Sequence, residues 1–397
     1  MKILISTGEV SGDLQGAMLI ESLYRQAENL GWELEITALG GTRMEKAGAK
    51  LLGNTTSIGS VGILESLPYI FPTLQMQRRV KEYLQQNTPN LVILIDYMGP
   101  NINIGNYIRH HFSTIPIIYY IAPQEWVWSL GSGNTAEIVK ITNRLLAIFP
   151  EEARYFREKG ANVTWVGHPL IDRMQTAPSR EEARTQLGIP SDEIAIALLP
   201  ASRWQEIKYL MPVMFEAAKM IQSKLPQVRF WIPLSLQEYQ DSLEKSIKKF
   251  GLNAKLVTSE TDQNQTLKVL AAADLAITKS GTVNLEIALL DVPQVVIYRV
   301  SPVTAWIARN ILKFSIPFMS PPNLVQMKSI VPELLQEEAT PERIVSEAME
   351  LLNNPQRRQK MQADYQEMRQ ALGEIGVCDR AALEILKSNI TINFSSS

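Results

Sequence analysis

The sequence predicts an α/β protein built from two facing, doubly wound, Rossmann-like domains. Its 397 residues exceed the roughly 250–300 residues at which one hydrophobic core stops growing. Short β-branched runs alternate with segments of helical period, a pattern typical of parallel sheets covered by helices. The alternation stops at residues 172–191, where prolines and glycines cluster, and then restarts. We therefore expect one domain over residues 1–172 and a second over residues 173–365.

The predicted strands form one series on each side of this break. The first series comprises Lys2–Ser6, Leu34–Leu39, Leu91–Ile95, Ile115–Ile121, Leu145–Ile148 and Val163–Val166. The second comprises Ile194–Leu199, Val228–Ile232, Ala254–Val257, Leu275–Ile277 and Val295–Tyr298. Open α/β sheets bind ligands outside the carboxyl ends of their strands, and two such domains predict a cleft between them. Beyond them we expect helices over residues 366–387, which can cross back to the first domain, and a disordered tail over residues 388–397.

Composition and charge exclude several classes of protein. A net charge of −2 offers no clustered basic excess for binding nucleic acid. The one cysteine, Cys378, excludes an internal disulfide framework and a cysteine-built zinc site, and it fits a reducing compartment. No run reaches the ~18 apolar residues of a membrane span. The N-terminus lacks the apolar region of a signal peptide. We expect a cytoplasmic protein, with contact to a membrane surface still open.

The first predicted strand is followed by Gly8-Glu9-Val10-Ser11-Gly12-Asp13, where a helix begins. Glycines permit a tight turn and a close approach of the backbone to a ligand, and a helix N-terminus offers free N–H groups. Turning and capping the chain require the same residue types, so both interpretations stand for Gly8, Ser11, Gly12 and Asp13. The segment is not the G-x-G-x-x-G dinucleotide fingerprint, which disfavours a nicotinamide-dependent dehydrogenase.

Asp96 is the first residue after the predicted strand Leu91–Ile95, in a loop that runs to Asn101. A partly desolvated carboxylate at this edge of a sheet can act as a general base. The alternative is an aspartate that caps the next helix. We favour the catalytic interpretation.

Two segments with aromatic residues supply the remaining candidate site residues in the first half. Gln124, Trp126 and Trp128 follow another strand and could form an apolar wall with polar tips for a sugar ring or an acyl chain. Core packing explains at least one of the two tryptophans. His168, in Gly167-His168-Pro169, lies at the predicted domain junction and is either functional or a satisfied structural histidine.

In the second half, Ala201-Ser202-Arg203 follows the first strand of the second series. An arginine at a helix start can clamp a diphosphate, and pairing with Glu206 on that helix is the alternative. Ser280-Gly281-Thr282 follows a later strand, and its small residues and N–H groups suit a phosphate. Glu286 lies one turn into the next helix, where it could accept hydrogen bonds from both ribose hydroxyls or serve as a structural glutamate.

Asn323 and Gln336 are weaker candidates for the same nucleotide-sugar site, because helix caps and turns explain them equally well. The sequence contains no Asp-x-Asp motif and no cluster of Cys, His and carboxylates with metal-ligand spacing. We therefore expect no metal and no cofactor. Arg203 and helix N-termini would then stabilise the charge of a leaving nucleoside diphosphate.

In order and spacing, these segments resemble the lipid-A-disaccharide synthase family, whose enzymes have the glycosyltransferase-B fold, over residues 1 to about 385. The matching stretches are Gly8–Asp13 with Gly16, Gly59–Leu67, Ile95–Asn101, Pro123–Trp128, Gly167–Pro169, Leu198–Glu206, Ser280–Glu286, Pro322–Leu324 and Val331–Gln336.

The resemblance implies an inverting transfer of diacylglucosamine from UDP to the 6-hydroxyl of diacylglucosamine 1-phosphate. Asp96 would be the base or would orient the acceptor, and Arg203 would bind the diphosphate. Glu286 would bind the ribose and Ser280–Thr282 the phosphate. The first domain would bind the acceptor and the second the UDP-sugar, which is a substrate and not a cofactor.

The resemblance also implies peripheral association with the cytoplasmic face of a membrane and a possible homodimer. Residues 58–71 and the helix expected at Pro302–Phe314 combine bulky apolar side chains in the way that interfacial segments do. Ordinary core packing is the alternative for both segments.

The chain departs from the family pattern at three places. Ser129 stands where the family commonly has arginine, Ala201 where it commonly has glycine, and the loop 96–101 keeps the first of two aspartates. These departures bear on recognition of the acceptor more than on the type of reaction. The alternatives are a UDP-sugar transferase with another lipid acceptor, a UDP-N-acetylglucosamine epimerase, and a nucleotide-sugar-binding protein without catalysis.

Overall fold

The computed structural model describes residues 1–56, 69–127, 133–200, 204–258, 264–310 and 317–394. Of residues 9, 307–310 and 389–394 it describes the backbone alone. The chain divides into two compact units. Unit 1 contains Met1–Asp172 and the residues from Leu372 onward, and unit 2 contains Arg173–Ala371.

The described part of unit 1 contains a seven-stranded parallel sheet of order β3-β2-β1-β4-β5-β6-β7. Its strands are β1 Lys2–Ser6, β2 Glu35–Gly40, β3 Lys50–Asn54, β4 Leu91–Ile95, β5 Ile117–Tyr120, β6 Arg144–Ala147 and β7 Val163–Trp165. The helices of its first chain segment are α1 Glu9–Asn29, α2 Thr42–Lys46, α3 Ile70–Gln86, α4 Met98–His111, α5 Gly133–Ile141 and α6 Pro150–Glu158, and α7 Leu170–Arg173 ends at the first residue of unit 2.

The described part of unit 2 contains a six-stranded parallel sheet of order β10-β9-β8-β11-β12-β13. Its strands are β8 Ile194–Leu199, β9 Val228–Pro233, β10 Ala254–Val257, β11 Leu275–Lys279, β12 Gln294–Tyr298 and β13 Glu333–Leu335. Its helices are α8 Arg180–Leu187, α9 Trp204–Tyr209, α10 Met211–Lys224, α11 Gln240–Phe250, α12 Gln265–Ala272, α13 Val283–Leu289, α14 Pro302–Asn310, α15 Pro321–Gln326, α16 Pro341–Asn353 and α17 Pro355–Ala371. The last described helix is α18 Val377–Phe394, in unit 1.

The central strands are unbroken apolar runs because they are buried on both faces of the sheet. All five residues of β4 (Leu91–Ile95) are fully buried, as a strand covered on both faces requires. The helices beside it contribute apolar residues three or four positions apart, which places them on one helical face. These are Val80 and Leu84 on α3, Ile104 and Ile108 on α4, and Ile138 and Ile141 on α5. The predicted α/β fold with two parallel sheets is thus confirmed.

Each sheet reverses its winding once, between two neighbouring strands. In unit 1, β1 lies between β2 and β4, and in unit 2, β8 lies between β9 and β11. Loops that leave neighbouring strands at such a switch point diverge and open a ligand crevice. The segments after β1, β4, β8 and β11 are those in which sequence analysis placed Gly8–Asp13, Asp96, Ser202–Arg203 and Ser280–Thr282.

The C-terminal end differs from the sequence expectation in two respects. The second domain was expected to end at residue 365, but α17 continues unbroken to Ala371, so unit 2 ends there. A disordered tail was expected from residue 388, but α18 runs to Phe394. No glycine or proline interrupts residues 388–394, and an existing helix gains one hydrogen bond for each residue it adds.

The start of α18 is fixed to the end of the first chain segment of unit 1. The Asp172 carboxylate accepts hydrogen bonds from the backbone N–H groups of Gly376, Val377 and Cys378, at 2.6, 3.2 and 2.7 Å. A carboxylate in this position satisfies the otherwise unpaired N–H groups of a helix start. From there α18 packs against α1. Within the described ranges, no helix has the length and apolar character that a membrane crossing needs.

Candidate active site

Asp96 lies on an unusual stretch of backbone directly after β4. It has φ +44°, and Tyr97 follows with φ +50°. Such left-handed conformations cost roughly 1–3 kcal/mol in residues other than glycine. The Asp96 peptide is held by its own N–H donating to the Ile121 carbonyl at 2.9 Å, and by its carbonyl accepting from the Tyr119 hydroxyl at 2.7 Å. The strained backbone is therefore fixed from the neighbouring strand.

The Asp96 side chain is exposed, whereas the sequence led us to expect partial desolvation. The buried strand ends at Ile95, and the left-handed turn carries the next residue out of the sheet. The carboxylate thus stands at the switch point of unit 1, at the surface, on a backbone that cannot easily rotate.

Asn101 joins the carboxyl ends of β1 and β4. It is fully buried, and its Nδ2 donates to the carbonyls of Ser6, Ile95 and Asp96 at 3.3, 3.1 and 2.8 Å. Its Oδ1 accepts from the Ser6 hydroxyl at 2.7 Å. We placed Asn101 on the acceptor side, but its amide is occupied by backbone and hydroxyl groups. It acts on the site by holding Asp96 in place.

The segment after β1 is mostly helical, because α1 begins at Glu9. The buried Asp13 carboxylate accepts from the N–H groups of Gly41, Arg43 and Met44 at 2.8, 3.2 and 3.0 Å, so it caps α2. The structure thus shows Asp13 as a capping group, and its assignment to the acceptor side stays a prediction.

The two glycines of this segment are required by close packing. A Cβ on Gly8 would lie 2.3 Å from the Tyr97 ring, and one on Gly12 would lie 2.0 Å from Thr7 Oγ1. Gly8 therefore brings the segment after β1 against the loop after β4. Ser11 is half-buried beside them and has no hydrogen bond to another described residue through its hydroxyl.

Glu152 is a buried carboxyl group that the sequence analysis missed. It lies in the first turn of α6 and accepts from the N–H groups of Ala122, Ile148 and Phe149 at 2.9, 2.8 and 3.1 Å. Burial raises its pKa to about 7, the three hydrogen bonds oppose this rise, and the Asp96 charge adds to it. The sequence signal is a helix start with proline at the first position and glutamate at the third.

His168 belongs to a buried aromatic row. Its ring centroid lies 5.1 Å from that of Phe149, which lies 5.5 Å from Trp126. Burial lowers the pKa of His168 to about 3, and its Nδ1 accepts from the Leu170 N–H at 3.2 Å. The imidazole is therefore neutral and lies just before α7, and its assignment to the acceptor side stays a prediction. Gln124 is exposed, and Trp128 and Ser129 lie outside the described residues.

In unit 2, the predicted phosphate turn after β11 is held by its own side chains. The Ser280 hydroxyl donates to the Met319 carbonyl at 2.7 Å, and the Gly281 N–H donates to Asn284 Oδ1 at 2.8 Å. These bonds shape the turn but do not face outward. Thr282 directly precedes α13. Ser202 and Arg203, predicted to bind the diphosphate, lie outside the described residues, as does Ala201.

Glu286 is buried on α13, one turn beyond the phosphate turn. Its Oε1 lies 2.9 Å from Arg173 Nε, although the Nε–H is not aligned for a hydrogen bond. Both side chains are almost fully buried. The carboxylate that we assigned to the ribose is therefore paired with an arginine, which was not foreseen from the sequence.

Asn323 and Gln336 frame β13. Asn323 is buried, accepts from the N–H groups of Ile330 and Val331, and donates to the Val331 carbonyl and to Glu333. Its amide organises this loop, and its assignment to the nucleotide-sugar site stays a prediction. Gln336 directly follows β13 with φ +50°, and its carbonyl accepts from Arg299 Nε at 3.2 Å.

No group of three His, Cys, Asp or Glu side chains is arranged to hold a metal ion within the described ranges. The absence of a metal requirement stays a prediction.

Comparison with known proteins gives a consistent result along the whole chain. Residues 3–387 match the family described as lipid-A-disaccharide synthetase. The chain is 60% identical to a lipid-A-disaccharide synthase of Gloeothece citriformis, over 97% of this chain and 99% of that one. It is 56% identical to one of Synechocystis sp., over 98% of each.

Among solved structures, the fold is similar to UDP-GlcNAc 2-epimerase from Neisseria meningitidis bound to UDP-GlcNAc. The TM-score is 0.66 at 13% identity, with 98% of this chain and 100% of that chain covered. At this identity the similarity establishes the fold alone, which is that of the glycosyltransferase-B class.

Proposed function

Because the chain belongs to the lipid-A-disaccharide synthetase family, we propose that it is an inverting hexosyltransferase of lipid A biosynthesis. The donor would be UDP-diacylglucosamine and the acceptor diacylglucosamine 1-phosphate. The products would be the β-linked disaccharide 1-phosphate and UDP. The family match over residues 3–387 carries this proposal. The epimerase similarity concerns the fold and does not favour epimerisation.

The proposed reaction is one in-line displacement at the anomeric carbon of the donor. The acceptor 6-hydroxyl oxygen forms the new bond while the bond to the β-phosphate oxygen of UDP breaks, and the hydroxyl proton passes to a base. Asp96 is our candidate for that base. What supports it is an exposed carboxylate at a switch point on a backbone fixed by Tyr119 and Asn101. A base must hold its position to within about 1 Å to be effective.

The donor would bind at the switch point of unit 2. In our proposal Arg203 binds the diphosphate and Glu286 accepts hydrogen bonds from the ribose hydroxyls. The ion pair with Arg173 supports this role, because it holds the buried Glu286 side chain in place. A carboxylate has several lone-pair sites, so one partner leaves capacity for others. Arg203 would stabilise the negative charge of the leaving UDP, and no metal ion would be needed.

Peripheral membrane binding is the second part of the proposal. At the start of α3, Ile70, Phe71 and Leu74 are exposed, and Phe71 is 76% exposed. Arg78 and Arg79 follow on the same helix, and basic residues beside an apolar surface favour anionic lipid headgroups. On α14, Val303 and Trp306 are also exposed. Residues 57–68 and 311–316, which complete the two expected segments, lie outside the described residues.

Incubation of the purified protein with both lipid substrates tests the activity. We expect equimolar UDP and disaccharide 1-phosphate, with no loss of rate in EDTA. UDP binding without disaccharide formation would contradict the transferase assignment, and conversion of UDP-N-acetylglucosamine to its epimer would favour the alternative. Co-sedimentation with anionic vesicles, comparing the protein with a Phe71→Ser/Leu74→Ser variant, tests membrane binding. Light scattering tests the expected homodimer.

A further inference from the structure

A buried ammonium group lies at the switch point of unit 2. Lys279 is the last residue of β11, directly before the Ser280–Thr282 turn, and its side chain is 13% exposed. A lysine is rarely buried to this extent without a partner, because removing an ammonium ion from water is costly. Its position at the carboxyl edge of the sheet is where ligands of this fold class bind.

The ammonium folds back over the turn that was predicted to bind phosphate. Lys279 Nζ lies 3.4 Å from the Ser280 carbonyl oxygen. A Cβ built on Gly281 would lie 3.0 Å from the same nitrogen. The glycine thus leaves room for the ammonium against the backbone of the turn. A ligand at this turn would therefore meet the positive charge of Lys279. The Ser280 hydroxyl and the Gly281 N–H already donate hydrogen bonds within the protein.

The opposite charge is supplied by the segment that follows β8, the other strand of the switch point. Glu206 lies in the first turn of α9, its side chain is 12% exposed, and its Oε1 is 3.6 Å from Lys279 Nζ. Strands β8 and β11 are paired, with Leu199 beside Thr278, so the ion pair joins the segments that follow both strands. The separation exceeds the roughly 2.7–2.9 Å of a tight charge-assisted hydrogen bond. An anion that approaches the ammonium closely can therefore compete with Glu206.

We propose that Lys279 binds the diphosphate of the nucleotide sugar and that Glu206 is its partner when no nucleotide is bound. This inference rests on the proposed function and adds a second cation to the donor site. On binding, the ammonium exchanges a carboxylate oxygen of Glu206 for a phosphate oxygen. A lysine suits this exchange because it is a compact charge on a flexible stem. Glu206 keeps the ammonium at the turn until the diphosphate arrives.

Binding of UDP and of uridine to four proteins tests the exchange: wild type, Lys279→Met, Glu206→Gln and the double variant. We expect Lys279→Met to weaken UDP binding about 10- to 100-fold, the range for a hydrogen bond to a charged group, and to leave uridine binding unchanged. Glu206→Gln should strengthen UDP binding in the wild-type background. The same substitution should have a much smaller effect in the Lys279→Met background. The double variant removes both charges of the Lys279–Glu206 pair, so it stays informative if a single variant folds poorly.

Lys245→Met is the matched control, since it removes the same charge from an exposed position on α11. Unchanged UDP affinity in Lys279→Met, or an equal loss for UDP and uridine, would overturn the proposal. A wild-type protein that binds UDP and makes no disaccharide would refute the proposed function while Lys279 is still tested by binding. A wild-type protein that binds no UDP would overturn both.

Discussion

The Asn101 carboxamide donates a 2.8 Å hydrogen bond to the carbonyl of Asp96, five residues before it. The same amide also binds the ends of β1 and β4, so one buried side chain ties the switch point of unit 1 together. The residue that follows β4 can then adopt a left-handed conformation that would otherwise be unfavourable. The position of the candidate base depends on a buried amide that has no contact with solvent.

Replacement of Asp96 by asparagine should abolish disaccharide formation without affecting the donor. The variant keeps the size of the side chain and removes the proton acceptor, and loss of a general base costs typically 10²- to 10⁴-fold in rate. We expect unchanged UDP affinity and thermal stability. Initial rates of UDP release measure the effect, with the exposed Asp192→Asn as the control. A rate within threefold of wild type would remove Asp96 from the mechanism.

Replacement of Asn101 by alanine should reduce both stability and rate. It leaves the buried Ser6 hydroxyl and several carbonyls without their partner, at a cost of about 1–3 kcal/mol for each group left unsatisfied. The freed Asp96 backbone should lower the rate of transfer about 100-fold, while UDP affinity stays constant. Urea unfolding and steady-state kinetics measure the two effects.

Asn106→Ala is a fair comparison for this variant, because Asn106 lies on the same helix and bonds to Glu137. A loss of stability with a normal rate in Asn101→Ala would show that the amide supports the fold but does not position Asp96.

The position of Asp96 was predictable because its strand is an uninterrupted buried run. Leu91–Ile95 was predicted with the bounds that the structure has, and Asp96 follows it. The fixation of Asp96 was not predictable, since Tyr119 on β5 and Ile121 directly after it reach Asp96 through the parallel register of β4 and β5. The contacts of these two residues with Asp96 exist only in the tertiary structure.

Polar side chains near strand ends indicate functional loops, but the sequence does not show whether they bind a ligand or the protein backbone. Asn101, Asp13 and Asn323 were all assigned to ligands, and the structure uses all three for backbone groups. An amide or a carboxylate is equally suited to either task, so the sequence pattern cannot distinguish them. Strands β3 and β13 were missed: the first contains a glycine and has no fully buried residue, and the second has only three residues.

The pKa of Glu152 predicts a stability that depends on pH. The pKa is about 7 in the folded protein and 4.5 ordinarily, so between these values the folded state holds a proton that the unfolded chain has lost. The contribution of Glu152 to the free energy of unfolding should therefore fall as the pH rises from 4.5 to 7, by on the order of 3 kcal/mol, and stay constant above.

Glu152→Gln removes this titration, so the difference in unfolding free energy between wild type and variant should change across the same interval. Urea unfolding at four pH values between 4.5 and 8 measures it. Glu158→Gln, exposed at the end of α6, should show no such trend. A difference that is independent of pH would mean that Glu152 is ionised throughout.

His168 predicts the opposite dependence on pH. Its pKa is lowered to about 3 from 6.5 by burial, so below pH 6.5 the unfolded chain takes up a proton that the folded protein excludes. The stability that His168 contributes is complete above pH 6.5 and is lost as the pH falls towards 3, by on the order of 5 kcal/mol. His168→Gln keeps an acceptor for the Leu170 N–H and does not titrate, so it should be less sensitive to acid.

The exposed His110→Gln serves as the control, because it removes an imidazole from a surface position. Nuclear magnetic resonance of the imidazole carbons gives a direct measurement, and a His168 pKa near 6.5 would contradict the burial argument. The result also bears on the acceptor. An imidazole that is neutral throughout the physiological range cannot supply a positive charge to the acceptor phosphate. Because Ser129 takes the place of the family arginine, that charge would have to come from another residue of this chain.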